Sequence, residues 1–249
     1  YYLILFGPEI TCRKINGMWS FVFYDSKKKK IFFSRDRCGE KPLYYYLAEG
    51  NLIVASEVKT LAIASGKKFS LNKKFIYDFL ELSLVDLNDE SILNEIKQFK
   101  QGYIYSINLE NDKIKLDENL FWNLEEKEKN LINVEKLIYE KFFKSIKIRL
   151  RSDVKIGIML SGGLDSSTIC SIVNKIDTNN KYQLLSFINK SKQFDESKFI
   201  ELMENHLNVK SLKVKLPDNK ESYFELLKEV SKKIDAPIAG PSNLAHFHM

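Results

Sequence analysis

The sequence predicts an α/β protein in two parts: a parallel sheet with helices in the second half, preceded by the antiparallel-strand end of an α+β domain. Three observations predict it. An apolar run at 154–160 leads through a Ser/Gly-rich loop at 161–167 into helix-forming residues. Strand and helix patterns then alternate at 183–188, 196–207, 209–216 and 221–234, and connections of that length imply right-handed crossovers between parallel strands. From Met18 to Glu57, by contrast, short aromatic-rich strands follow each other across tight turn signals, as antiparallel hairpins do.

Taken in order, the first residues read as the middle of a helix. Strands are expected at 19–24, 31–34, 42–47 and 52–55, separated by turn signals at Asp25-Ser26 and Glu49-Gly50-Asn51. Their aromatic stripe is read as core. Arg35-Asp36-Arg37 is too polar for that core and is expected to pin a strand end through ion pairs. A short helix is predicted over 73–82, then a hairpin of 102–107 with 113–116. The unbroken polar run 125–130 is the best linker. After it Val134, Leu137, Ile138, Phe142, Ile146 and Leu150 recur at helical spacing through 133–150, which gives one apolar face to lay on the parallel sheet.

Composition excludes several classes. Lys and Arg number 39 against 33 Asp and Glu, a formal charge of +6 spread along the chain. The run Lys27 to Lys30 sits between two strands and reads as a solvated hairpin turn; no recognition helix, stacking aromatic pattern or zinc spacing supports nucleic-acid binding. Cys12, Cys38 and Cys170 have neither metal-like nor disulfide-like spacing, and no signal peptide or long apolar span is evident, so reduced thiols in a cytoplasmic, non-membrane protein are expected. Cys170 is expected to be a buried apolar residue. His246 and His248 lack a third metal ligand in sequence.

The loop Ser161-Gly162-Gly163-Leu164-Asp165-Ser166-Ser167 carries the chemistry. A strand that turns through two glycines into a helix aims free backbone N–H groups and the positive end of the helix dipole at one point, which suits a phosphate. The Lys of a Walker-type loop is missing. Three hydroxyls (Ser161, Ser166, Ser167), two glycines that allow close approach, and Asp165, able to hold a magnesium ion bridging phosphate oxygens, take its place. The plainer alternative is a loop with an N-cap, a job that Asp and Ser also favour. Leu160 and Ile188 lie at or near the ends of two strands, where ligands of parallel sheets collect; their side chains or carbonyls are expected walls for an adenine ring, with a core role the alternative for Ile188, and Phe187 is expected among the ATP-binding residues.

The loop resembles the S-G-G-x-D-S loop of ATP pyrophosphatases, which release pyrophosphate while passing AMP to an acceptor oxygen. More widely, Arg149 to Ser167, together with Asn16 to Phe21, Ser34 to Tyr45, Ala55 to Lys59 and Phe194 to Ser197, resembles asparagine synthetase of the glutamine-hydrolysing type. The resemblance implies a class II glutaminase domain ending in residues 1–122, a linker at 123–130, and the start of a Rossmann-like ATP pyrophosphatase domain at 131–249. It also implies that the family's N-terminal Cys nucleophile and glutamine contacts fall before Tyr1, and that a later S-G-x-G-x-D-E motif falls beyond Met249. On that reading the chain is an internal fragment with no catalytic nucleophile of its own.

What the resemblance implies for the intact protein is ATP- and magnesium-dependent amidation of aspartate, through β-aspartyl-AMP, with glutamine as ammonia donor, in a homodimer. The small-molecule partners are then aspartate, glutamine and ATP. A relative that amidates another carboxylate, in an antibiotic precursor, peptide or polysaccharide sugar acid, would keep the same loop. A noncatalytic ATP-binding protein on an inherited fold is the alternative from a different class.

Overall fold

The computed structural model describes residues 1–85, 89–111, 113–125, 133–177, 182–189, 191–217, 219–235, 237–238 and 240–248. The chain divides into two compact units, residues 1–127 with 231–237, and residues 128–230 with 238–249. Of the expected linker, residues 126–130 lie outside the described residues.

The first unit opens with α1 (Tyr2–Lys14), broken at Gly7, whose φ of 76° lets Pro8 start the second segment. Two antiparallel sheets follow. One has the order β1 (Ser20–Asp25), β2 (Lys30–Arg35), β6 (Tyr103–Asn108), β7 (Asp117–Leu120); the other has β4 (Asn51–Ala55), β3 (Tyr44–Ala48), β5 (Ile96–Gln98). The aromatic stripe is core as expected: Phe33, Phe99 and Tyr105 pack with Leu43 and Ile107, with Phe33 and Phe99 stacked 5.1 Å apart.

Helix α3 (Lys73–Leu82) forms where the pattern places it, its first turn capped by the Asn72 side chain, which accepts from the Phe75 amide. Helix α2 (Val58–Ser65) was not foreseen. It is short, and Gly66 in the left-handed conformation ends it, so its stop signal was visible but its period was not. The side chain of Glu57 does not cap it. Asp235, from the 231–237 segment of the same unit, accepts from the amides of Val58 at 2.8 Å and Lys59 at 3.4 Å. In the predicted hairpin, the strand that pairs with β6 is 117–120 in place of 113–116, and Ile114 and Leu116 pack on the aromatic core.

Arg35-Asp36-Arg37 pins the first unit with many hydrogen bonds beyond the ion pairs expected of it. These bonds run to main-chain groups. Asp36, buried, accepts from the amides of Trp19, Cys38, Glu40 and Lys41 at 3.0–3.2 Å. Arg35 donates to the carbonyls of Lys41, Phe99 and Gly39 at 2.7–2.9 Å. Arg37 donates to Cys12, Arg13 and Ile15, the open carbonyls at the end of α1. A short connection can supply such carbonyls and amides from its own backbone.

The second unit contains α4 (Val134–Arg149), β8 (Ile156–Met159), α5 (Leu164–Ile176), β9 (Tyr182–Phe187), a 3₁₀ turn at Lys192–Phe194, α6 (Ser197–Leu207), β10 (Ser211–Val214), α7 (Lys220–Lys233) as far as Val230, and α8 (Pro241–His248). The three strands are parallel in the order β10-β9-β8, as the alternating pattern requires. Their core joins Leu160, Cys170, Ile172, Val173, Leu184 and Ile200. Burial pushes the Cys170 thiol up to about 11, in keeping with an unreactive core residue. Two expectations shift. Helix α5 begins at Leu164 instead of Thr168, and the predicted apolar face of α4 meets the core only at its end, through Ile146 and Leu150, while Val134, Ile138 and Phe142 stay exposed. No helix among the described residues is long and apolar enough to cross a membrane.

Glu204 on α6 is a buried carboxylate bonded to the amide and hydroxyl of Ser211 at 2.9 and 2.6 Å, with Lys210 and Lys213 beside it. Burial opposes its charge, but the Ser211 bonds and the two lysines outweigh burial and hold it at about 2. Its folded pKa thus lies below the ~4.3 of an unfolded chain, so its stabilisation is present above about pH 4.3 and lost as pH falls toward 2. The urea midpoint should fall across that window by an amount equivalent to at most roughly 3 kcal/mol. Glu204→Gln should be less stable at neutral pH and flatter over the same range.

Candidate functional site

The loop 161–167 leaves the carboxyl end of β8, the first strand of the parallel sheet, and enters α5. Three constraints shape it. Leu160 continues the ladder one residue past β8, its amide donating to the Leu185 carbonyl at 2.8 Å. Gly162 then turns with φ of 82°, a conformation that L side chains rarely adopt. It also lies hard against the first turn of α6: a Cβ there would stand 2.5 Å from Phe199 Cβ and 3.0 Å from the Ile200 amide nitrogen. Only glycine satisfies both demands. Gly163, with φ of −70°, is the N-cap residue of α5 and has no side chain to cap with.

The consequence is a helix whose first-turn amides carry no side-chain cap. In their place the loop bonds to itself. Ser161 N–H donates to Ser166 Oγ at 3.3 Å, the two hydroxyl oxygens are 3.0 Å apart, Gly163 N–H donates to Ser161 Oγ at 3.3 Å, and Ser166 Oγ donates to the Gly163 carbonyl at 3.2 Å. Most of these bonds are long for their type. An oxyanion offering stronger, charge-assisted bonds can displace them. Asp165 is exposed in the first turn of α5. Among the described residues no cluster of three His, Cys, Asp or Glu side chains could hold a metal by itself. A lone carboxylate fits magnesium only where phosphate oxygens supply further ligands, the usual arrangement for that ion.

Of the expected adenine walls, Leu160 is 1% exposed and its side chain belongs to the core, so it can serve a ligand only through the backbone it positions. Phe187 and Ile188 close β9 half-buried, and Ile188 donates its amide to Val214 O at 2.9 Å. Beside β8, an apolar groove of about 610 Å³ lies between α4 and α5, lined by Phe142, Ile146, Met159 and Ile169 and reaching Ser166.

Comparison with known proteins is consistent across both units. A glutamine amidotransferase domain matches residues 3–122, and an asparagine synthase domain matches residues 137–249. The chain belongs to the asparagine synthetase family. A Methanocaldococcus jannaschii protein named as a glutamine-hydrolysing asparagine synthetase is 32% identical over 206 residues, 79% of this chain and 38% of that protein. Glutamine-hydrolysing asparagine synthetase 1 of Bacillus subtilis is 27% identical over 239 residues, 94% of this chain and 36% of its own length. Amidase chyE of Penicillium rubens is 27% identical over 165 residues, 64% of this chain and 23% of that protein. The chain therefore spans under two-fifths of the length of these relatives.

Within this asparagine synthetase-type unit, two features of the site were not read from the sequence. One is the contact of Gly162 with α6. The other is Ser186, a buried hydroxyl near the carboxyl end of β9 that donates to the Leu160 carbonyl at 2.8 Å. Its signal was a lone polar residue inside the apolar run Leu184-Leu185-Ser186-Phe187-Ile188.

The two glycines of the loop should respond differently to a methyl group. Gly162→Ala meets both strain and the α6 backbone and should lower stability by about 2 kcal/mol or more, read as a fall in thermal midpoint. Gly163→Ala, whose new Cβ would meet only Ser161 Oγ at 3.4 Å, should change stability by less than about 1 kcal/mol.

Proposed function

We propose that the protein to which this chain belongs makes asparagine from aspartate, ATP and glutamine, and that the 161–167 loop grips the departing pyrophosphate. The observation that carries this reading is the uncapped amino end of α5, set behind two glycines at the carboxyl end of a parallel strand. That end collects anions for the same reason in any such fold.

The difficulty in the first step is charge. An aspartate carboxylate must approach a triphosphate that is already anionic, so the leaving group must be neutralised in advance. The amides of Gly162 and Gly163 and the hydroxyls of Ser161, Ser166 and Ser167 are the donors we assign to it, giving up their bonds within the loop as they do so. Asp165 would hold magnesium together with the phosphate oxygens, and the ion would supply positive charge for the leaving pyrophosphate. The carboxylate oxygen then forms a bond to the α-phosphorus as the bond to pyrophosphate breaks, leaving β-aspartyl-AMP. Ammonia from glutamine attacks the activated carbonyl and AMP leaves. Phe187 and Ile188 are assigned to the adenine, and Leu160 supports them through its backbone.

In this reading residues 1–122 end a glutaminase domain, 123–130 link, and 131–249 begin the synthetase domain. A relative that amidates a different carboxylate is the second reading, favoured by the match to an amidase in Penicillium rubens. Incubating the longer protein with ATP, glutamine and aspartate separates the two. Asparagine and pyrophosphate formed together support the first; no asparagine under conditions where another carboxylate releases pyrophosphate supports the second.

In the longer protein Asp165→Ala should abolish ATP–pyrophosphate exchange while leaving the circular dichroism spectrum unchanged; near-normal exchange would remove Asp165 from the mechanism. Ser161→Ala should be milder, losing about 1.5–3 kcal/mol for one hydrogen bond to a charged group.

A further inference from the structure

Ser186 lies on β9, outside the loop, and is 1% exposed. Its hydroxyl donates to the Leu160 carbonyl at 2.8 Å, and the amide on the other side of that same peptide bond, Ser161 N–H, donates to Ser166 Oγ at 3.3 Å. A peptide unit is planar, so holding its oxygen also sets the direction of its N–H. The two bonds therefore form one relay from the interior of the sheet, through the Leu160–Ser161 peptide, to the hydroxyl of Ser166. Each bond polarises the next.

We propose that Ser186 is a positioning residue for the phosphate loop, acting on Ser166 through that single peptide. The two ends of the turn are then held by different means: the entering peptide by Ser186, and the glycine after it by steric contact with α6. With Ser186 in place the loop is already shaped before an anion arrives, and binding does not have to order it. Without it, the Leu160–Ser161 peptide is free to rotate about its flanking bonds, and Ser161 N–H and Ser166 Oγ lose their shared direction. This inference rests on the pyrophosphate-binding role given to the loop above, but the relay can be tested without any ligand.

The test uses the same longer protein, with inorganic pyrophosphate and magnesium as the probe. Ser186→Ala should lower the NMR order parameter of the Ser161 amide from about 0.85 toward 0.6 while that of Leu185 on β9 holds. It should also weaken pyrophosphate binding by about tenfold, the scale of one hydrogen bond. Ser166→Ala, which leaves the interior of the sheet untouched, should weaken binding as well. On that background, adding Ser186→Ala should have no further effect on affinity, because the relay already lacks its last member. A substitution that merely loosened the fold would weaken binding by the same factor on both backgrounds, and that result would overturn the inference, as would an unchanged Ser161 amide in Ser186→Ala. If Ser186→Ala does not fold, Ser166→Ala carries the test: Ser186 still holds the peptide, so the Ser161 amide must stay ordered, and an amide that becomes mobile defeats the relay. A parent chain that does not bind pyrophosphate sinks the assigned role of the loop, and the Ser161 order parameters still decide whether Ser186 holds the peptide.

Discussion

The amino end of α5 can stay uncapped because the turn before it is held in place by other parts of the second unit. Gly162 is pressed on the α6 backbone, and the Leu160 peptide is bonded to both β9 and the Ser186 hydroxyl. A helix end with free amides would ordinarily be closed by a side chain from its own N-cap. Here glycine occupies that position, and the hydroxyls that could have capped the helix bond to each other instead. The result is a group of donors kept close together with weak internal bonds, the state that costs least to exchange for a phosphate.

The first unit meets the problem of irregular backbone in another way. Its sheets are joined by turns whose carbonyls and amides fall inside the fold, and one tripeptide satisfies many of them. Asp36 collects four amides, Arg35 three carbonyls, and Arg37 the open end of α1. Burial alone raises the pKa of Asp36; the bonds to Glu40, Lys41, Trp19 and Cys38 outweigh it, and the net shift is downward. The carboxylate is thus kept charged by main-chain dipoles. Glu204 in the second unit is stabilised by a hydroxyl, an amide and two lysines in the same sense. In both cases a buried charge is tolerated because its partners are fixed before it ionises.

These arrangements bear on chemistry through preorganisation. Donors aimed at a leaving pyrophosphate help only if they do not have to be reoriented during the reaction. In the proposed reaction rigidity in the loop matters as much as the presence of Ser161, Ser166 and the two glycines, and Ser186 and α6, outside the loop, are the parts proposed to supply it.

Much of this was legible in the chain. Apolar runs bounded by helix-length segments defined the parallel sheet, because a crossover between parallel strands needs ten or more residues. The strand-to-helix loop at 161–167 was legible as well, since its residue types are dictated locally by backbone conformation and hydrogen bonding. Tertiary structure alone decided the rest. Nothing near Ser186 in sequence points to Leu160, 26 residues away, and nothing around Gly162 foretells that α6 will approach it. Likewise Arg35, Asp36 and Arg37 announced that they were too polar for a core, but the hydrogen bonds described above go to main-chain groups, which every residue carries and no sequence distinguishes. Local conformation is written in side-chain chemistry; the pairing of distant backbone groups exists only once the sheet has closed.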